Sequence, residues 1–260
     1  MPTWNPQQYL KFAEERSRPC RDLAVRVEVA APRRIIDLGC GPGNSAEVLA
    51  ARWPQAAMTG LDSSAAMIDA ARAASPRYEW RIGDISEWSA GDHQFDVVFS
   101  NAALQWVGDH ANVFPRLLSR VAEGGALAVQ VPGNYASGQH QLMREVARRF
   151  QLQVREWHTH DLDFYYDALA PHASRLDLWA TEYLHVLPNI EAIVEWYKGT
   201  GMRPYLDALA REAERERFLA EYLEGLRQIY APQPDGAVLF PFRRIFIVAY
   251  AASEAPPRRS

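Results

Sequence analysis

The stretch IIDLGCGPGNSAEVLA at residues 35–50 runs an apolar strand pattern into three closely spaced glycines and straight on into a helix pattern. A chain that repeats this strand-to-helix alternation builds a layered α/β fold, because each helix has to pack back onto the sheet its strand has entered. The alternation does repeat. RRIIDL at 33–38, AMTGLD at 57–62, YEWRIGD at 78–84, FDVVFS at 95–100 and ALAVQV at 126–131 read as strands. Helical spacing lies between them, in SAEVLAARW with Ala46, Leu49 and Trp53 on one face, and in SAAMIDAARAA with Met67, Ile68 and Ala71. The pattern predicts five βα units in a parallel sheet.

After Pro132 and Gly133 the rhythm changes. A helical QHQLMREVARRF is followed by a mixed aromatic stretch and a strand, TEYLHVL, at 181–187. Residues 189–230 read as charged helices, with Phe218, Tyr222, Leu226 and Ile229 forming an apolar stripe that suits core or lid packing. PFRRIFIVAYAA supplies a closing strand before a Pro/Arg tail.

In an open parallel sheet, ligands sit beyond the carboxyl ends of the strands, so the turn at Gly39, Gly41 and Gly43 is the expected binding point. Glycines there let backbone approach a ligand closely, although a bare strand-to-helix turn would use them as well. The residues around them select the ligand. Asp37 stands just before the glycines, where a pyrophosphate would otherwise press against the helix start. At an effective dielectric of about 20, a unit charge at roughly 5 Å contributes on the order of 3 kcal/mol, against a pyrophosphate and in favour of an ammonium or sulfonium. Asn44 occupies the place of the third glycine of G-x-G-x-x-G, and Pro42 removes an amide donor. Cys40 lies within the turn. Asp62, with Ser63 after it, ends the second strand, where a carboxylate can accept from a ribose diol. Asp84, after Gly83, is placed to accept from an adenine amino group, with Ile85 and Met67 able to pack on the ring. Three strand-end acids and a G-x-G-x-G turn together describe a pocket for S-adenosylmethionine rather than NAD.

The 260-residue chain carries a net charge of −4, which disfavours a broad phosphate-binding surface and so a nucleic-acid partner. Its two cysteines form no metal or disulfide pattern, and no basic-then-apolar leader or membrane-length apolar run is present. The expectation is a cytoplasmic protein with no metal and no membrane partner, a monomer or weak homodimer.

These motifs resemble the class I S-adenosylmethionine-dependent methyltransferases: DLGCGPG their first motif, GLDSSAAM the ribose-binding acid, GDI the adenine segment and FDVVFSNAALQW the end of strand four. The resemblance implies a Rossmann-like, seven-stranded, mostly parallel sheet with helices on both faces, an antiparallel last strand and a helical lid insertion. Beyond the core, TWNPQQYLKFAEERSRPCRDLAVRV, EWYKGTGMRPYLDAL and VLFPFRRIFIVAYA resemble the trans-aconitate 2-methyltransferase family. This implies one domain over 1–260: N-terminal lid helices at 1–30, a cofactor-binding core at 31–132, a helix and strand six at 133–187, a helical substrate lid at 188–236 and a closing strand at 237–252. The implied reaction carries a methyl group from S-adenosylmethionine to a carboxylate of a tricarboxylate, trans-aconitate, leaving a monomethyl ester and S-adenosylhomocysteine.

A carboxylate is already ionised at pH 7, so no catalytic base is required; positioning and water exclusion suffice. A tricarboxylate does need fixed cations, and arginine's planar fork suits carboxylates. Arg203, in GTGMRPY beside Tyr205, is the first choice, with Arg16, Arg18, Arg243 and Arg244 behind it. Trp4 and Tyr9 lie in the terminal segment expected to close over the pocket. Asn101, Gln105 and Trp106 follow strand four, where the methyl acceptor is expected, and Asn101 also borders the cofactor.

Overall fold

A computed structural model describes residues 12–89, 94–154 and 157–252, with only the backbone described at 13–16. Trp4 and Tyr9 lie outside the described residues, as does the Arg16 side chain.

Helix α1 (Ala13–Arg26) leads into β1 (Arg34–Leu38), α2 (Asn44–Arg52), β2 (Ala57–Asp62), α3 (Ala65–Ala74), β3 (Glu79–Ile82) and β4 (Phe95–Asn101). After a 3₁₀ turn at Leu104–Trp106 come α4 (His110–Leu118), β5 (Val121–Pro132), α5 (Gly138–Arg149), α6 (Leu162–Leu169) and β6 (Ala173–Leu187). Helices α7 (Glu191–Lys198), α8 (Arg203–Ala208) and α9 (Glu212–Ile229) precede β7 (Val238–Ala251). The seven strands form one sheet in the order β3-β2-β1-β4-β5-β7-β6. Strands β1 to β5 pair in parallel, and β7 runs antiparallel to β5, from Ala126 opposite Tyr250 to Pro132 opposite Arg244. The order reverses between β1 and β4, so the carboxyl ends of those two strands flank the switch point of the sheet.

The helix faces follow the periodicity. Ala46, Leu49 and Trp53 are buried, as are Met67, Ile68 and Ala71, and Ser64 caps α3 by accepting from the Met67 N–H at 3.4 Å.

The sequence reading differs from the structure in four places. Among the described residues no helix follows β3, so the third βα unit lacks its helical half. The aromatic stretch after α5 contains α6, which turns its buried Tyr165 and Leu169 into the core. Strand β6 begins eight residues earlier than the TEYLHVL pattern, because at the sheet's edge its first half alternates poorly and is held instead by contacts such as Trp179 stacked on Phe246 at 4.7 Å. In the α9 stripe Phe218, Tyr222 and Leu226 are buried, whereas Ile229, in the last turn, is exposed.

The chain divides into two compact units. One comprises Glu14–Gly133, His158–Thr181 and the chain from Arg244 onward; the other comprises Asn134–Trp157 and Glu182–Arg243, with the described residues up to Ala13. The first has a core of Ile36, Leu38, Val98, Leu127, Val129, Val131, Ile245 and Ile247 against α4 and α6. The second is built on aromatic residues, including Trp196, Tyr197, Phe218, Tyr222 and Phe240.

Candidate active site

The turn after β1 holds Gly39, Gly41 and Gly43 at φ of 74°, 54° and 95°, all in the left-handed region. At Gly39 a Cβ would overlap the Cβ of Ala103, so only glycine allows this turn to meet the loop that follows β4. At Gly41 a Cβ would have no neighbour within 4 Å, so here the turn faces open space. The amides of Gly39 and Cys40 donate to the Leu61 carbonyl at 2.7 and 3.1 Å, tying the turn to β2. Asp62 completes the tie, its Oδ2 accepting from the Gly41 N–H and its Oδ1 from the Ser64 N–H, both at 2.9 Å. Each oxygen keeps a lone pair for a further donor.

Asp37 is fully buried, and neither carboxylate oxygen has a hydrogen-bond partner. Burial, and then the charge of Asp62, push its pKa up to about 8. Asp62 is itself raised by burial, against the lowering effect of the two amides it holds. The fully buried Asp37, without a hydrogen-bond donor, lies within electrostatic reach of the partly buried Asp62, a pairing that favours a cation over an anion as ligand. Cys40 is buried, and burial raises its thiol far above the ordinary range, so it is unreactive.

The remaining cofactor candidates lie in and after the turn, at the start of α3 and after β3. Asn44 opens α2, Met67 and Ile85 are buried, and Ser63 is exposed. The Ile85 Cδ1 lies 3.5 Å from where a Gly39 Cβ would stand. Gly83 donates to the Asp62 carbonyl at 3.0 Å, and the half-buried Asp84 accepts at Oδ1 from the Ser86 N–H at 2.8 Å and hydroxyl at 2.6 Å.

Beyond β4 the backbone is strained: Ala102 adopts φ 56°. Its N–H donates to the Gln130 carbonyl at 2.9 Å, and its own carbonyl accepts from Gln105 Nε2 at 2.7 Å. The Gln105 Oε1 and the Asn101 Oδ1 are buried without partners, and Trp106 is half-buried. Ser100 donates its hydroxyl to the Leu38 carbonyl at 2.8 Å, joining the ends of β1 and β4.

Register explains which side chains share this space. Asp37 pairs with Phe99, Phe99 with Ala128, and Ala128 with Val248; Asn101 pairs with Gln130, and Gln130 with Phe246. Residues so paired point to one face of the sheet, and the apolar core around Ile36, Val98, Val129 and Ile245 lies on the other. Asp37, Asn101, Gln130 and Arg244 therefore step along one face, near its carboxyl edge. Gln130 was missed in the sequence. The signal was a lone amide inside the apolar run ALAVQV.

Arg203 and Tyr205 belong to the other compact unit. Arg203 opens α8, its Nη2 pairs with Asp207 at 3.0 Å, and its Nε is buried without a hydrogen-bond partner. Tyr205 is buried and stacks on Phe218 at 6.0 Å. Arg18 is exposed on α1, Arg243 is half-buried, and Arg244 is buried, with its Nη1 donating to Gln130 Oε1 at 3.3 Å. His110 is fixed inside the core between the Tyr165 hydroxyl and the Leu104 carbonyl, both at 2.9 Å. Among the described residues no group of three or more His, Cys, Asp or Glu is arranged to hold a metal ion, and no helix is long and apolar enough to cross a membrane.

Residues 35–125 match the family described as a methyltransferase domain. A protein of Azoarcus sp. (strain BH72) named trans-aconitate 2-methyltransferase is 48% identical over 260 residues, covering 96% of this chain and 99% of the relative. A protein of the same name from Rhodopseudomonas palustris (strain BisB5) is 48% identical over 257 residues, again covering 96% of this chain and 99% of the relative. Among solved structures, the YcgJ protein from Bacillus subtilis superposes with a TM-score of 0.62 at 13% identity, covering 90% of this chain and 99% of that one; it shares the fold.

Proposed function

This chain belongs to the trans-aconitate 2-methyltransferase family, and from that premise we propose that it transfers a methyl group from S-adenosylmethionine to a carboxylate of trans-aconitate. The structural observation that supports this reading most directly is Asp37, fully buried with both oxygens unmatched, four residues before a turn that faces open space at Gly41. S-adenosylmethionine supplies an electrophilic methyl group on a sulfonium, and its methionine end carries an ammonium. Asp37, once ionised, and the Asn101 and Gln105 oxygens, buried without other partners, would accept from that cationic end. Asp62 presents free lone pairs to a diol while holding Gly41 in place. Ser63, Asn44, Gly83, Asp84, Ile85 and Met67 complete the adenosine side of the proposed site.

The acceptor carboxylate arrives ionised, so the residues beyond β4 have only to hold it in line with the methyl group. His110 is committed to two internal hydrogen bonds and Cys40 is masked by burial, in keeping with a proposed mechanism that needs no base and rests on alignment and electrostatics. Arg203, Tyr205, Trp106, Trp4, Tyr9 and Arg16 are the residues proposed to bind the acceptor. The proposed protein is cytoplasmic and monomeric or weakly dimeric, with no nucleic-acid or membrane partner.

The test is incubation with methyl-labelled S-adenosylmethionine and trans-aconitate. Label in a trans-aconitate monomethyl ester, with stoichiometric S-adenosylhomocysteine, supports the proposal. Label appearing only in another carboxylic acid would reassign the acceptor, and tight cofactor binding without transfer to any acid would make the protein a non-catalytic cofactor-binding regulator.

A further inference from the structure

We propose that Gln130 and Arg244 form the seat of an acceptor carboxylate other than the one that is methylated, an assignment that rests on the carboxyl-methyl-transfer reading above. Arg244 stands opposite Pro132 at the point where β7 enters the sheet antiparallel, so the beginning of β7 lies at the carboxyl end of β5. It is 4% exposed, and Gln130 is fully buried. The Arg244 Nη1 donates to Gln130 Oε1 at 3.3 Å, which fixes the orientation of the amide. The amide's other end, Nε2, is then a donor, and it is buried without a partner.

The carboxyl edge of this sheet face is thus sorted by hydrogen-bonding sense. On β1, on β4 and in the turn after β4 the unmatched buried atoms are acceptors once Asp37 is ionised by a bound cation: both oxygens of Asp37, the Asn101 Oδ1 and the Gln105 Oε1. One strand further on, at Gln130, the unmatched atom is a donor, backed by a guanidinium. Adjacent strands lie about 4.8 Å apart. The face therefore offers acceptors to a cation and donors to an anion on neighbouring strands, the order that a sulfonium methyl donor and a carboxylate acceptor require. An acceptor molecule with no oxygen at this point would leave the Gln130 donor unmet on binding, and the Arg244 guanidinium behind the amide favours a charged oxygen over a neutral one. The reacting carboxylate has to keep its electron pair for the methyl carbon, and hydrogen bonds from a guanidinium-backed amide would hold that pair down. The seat therefore suits a second carboxylate of the acceptor, which makes the pair a determinant of preference for polycarboxylates.

Gln130→Glu tests this with little change of shape. A carboxylate at 130 keeps an oxygen for Arg244, neutralises its charge, and replaces the free donor with an acceptor. Trans-aconitate binding to the S-adenosylhomocysteine complex is measured by calorimetry, alongside the KM and kcat for transfer. The expected result is a rise of about 20-fold or more in the trans-aconitate Kd and KM, with S-adenosylhomocysteine affinity within about twofold of wild type. Arg244→Lys, which keeps the charge but loses the planar fork, gives a second reading if the first variant folds poorly, and the same acceptor-specific loss is expected. Unchanged trans-aconitate affinity in either folded variant, or equal loss of both ligands, would overturn the assignment and leave the functional reading standing. Wild-type protein that fails to bind trans-aconitate would overturn both.

Discussion

Replacing Asp37 with asparagine keeps the shape of the side chain and removes the charge, and the consequences for stability and for binding have opposite signs. In the folded apo protein the Asp37 pKa stands at about 8, first because burial strips its hydration and second because Asp62 is near. In the unfolded chain it returns to the ordinary carboxylate value of about 3.9. A group whose folded pKa is raised stabilises the fold below its unfolded pKa, and that contribution is lost as pH climbs to the folded value. At about 1.4 kcal/mol per pH unit, the two units between pH 6 and the folded pKa make wild-type apo protein about 3 kcal/mol less stable at pH 9 than at pH 6 through this group alone. Asp37→Asn has no such term. Urea unfolding of both proteins from pH 6 to 9 should show the wild type falling relative to the variant.

Cofactor binding should reverse the preference. A cation beside Asp37 lowers its pKa, so at pH 7 binding of S-adenosylmethionine to wild type should release close to one proton. Calorimetry in buffers of different ionisation enthalpy measures that release. Asp37→Asn should show none and should bind more weakly. Parallel pH–stability curves together with no proton release in wild type would refute the reasoning.

Two further outcomes follow from the same geometry. Gly39→Ala, at φ 74° and overlapping Ala103, should cost roughly 3 kcal/mol of stability in urea. Gly41→Ala, at φ 54° with nothing within 4 Å, should cost only about 1 kcal/mol of fold stability, yet weaken S-adenosylhomocysteine binding at least tenfold by calorimetry, since its methyl group projects into the open space. Arg203→Ala removes a side chain paired with Asp207 whose Nε is unmatched. It should raise the trans-aconitate KM much more than the cofactor KM, and equal increases in steady-state kinetics would take Arg203 out of the acceptor site.

The strands β1, β2 and β4, the glycine turn and the acids Asp37 and Asp62 were legible in the sequence because each depends on local rules. Side-chain period sets a strand, positive φ selects glycine, and a strand's last residue sits at the sheet's edge wherever the strand lies. The outer elements were less legible for the converse reason. The first half of β6 is held by partners distant in sequence rather than by a periodicity of its own, and in α6 the helical spacing of Leu162, Tyr165 and Leu169 spans only eight residues amid further aromatics.

Which polar residues meet was a question of register, and register is a property of pairs of strands. Gln130 read as one amide in an apolar run, and Arg244 as one of two adjacent arginines, 114 residues apart in the chain. Only the insertion of β7 between β5 and β6, antiparallel and with Pro132 opposite Arg244, brings them to one face and into contact. A shift of one residue in that pairing would turn Arg244 toward the apolar core. The sequence by itself determined the βα core and the turn proposed to receive the methyl donor, whose chemistry is written in consecutive residues. Tertiary structure decided the composition of the neighbouring edge, because hydrogen bonds between strands, and not neighbours along the chain, set which side chains share a face.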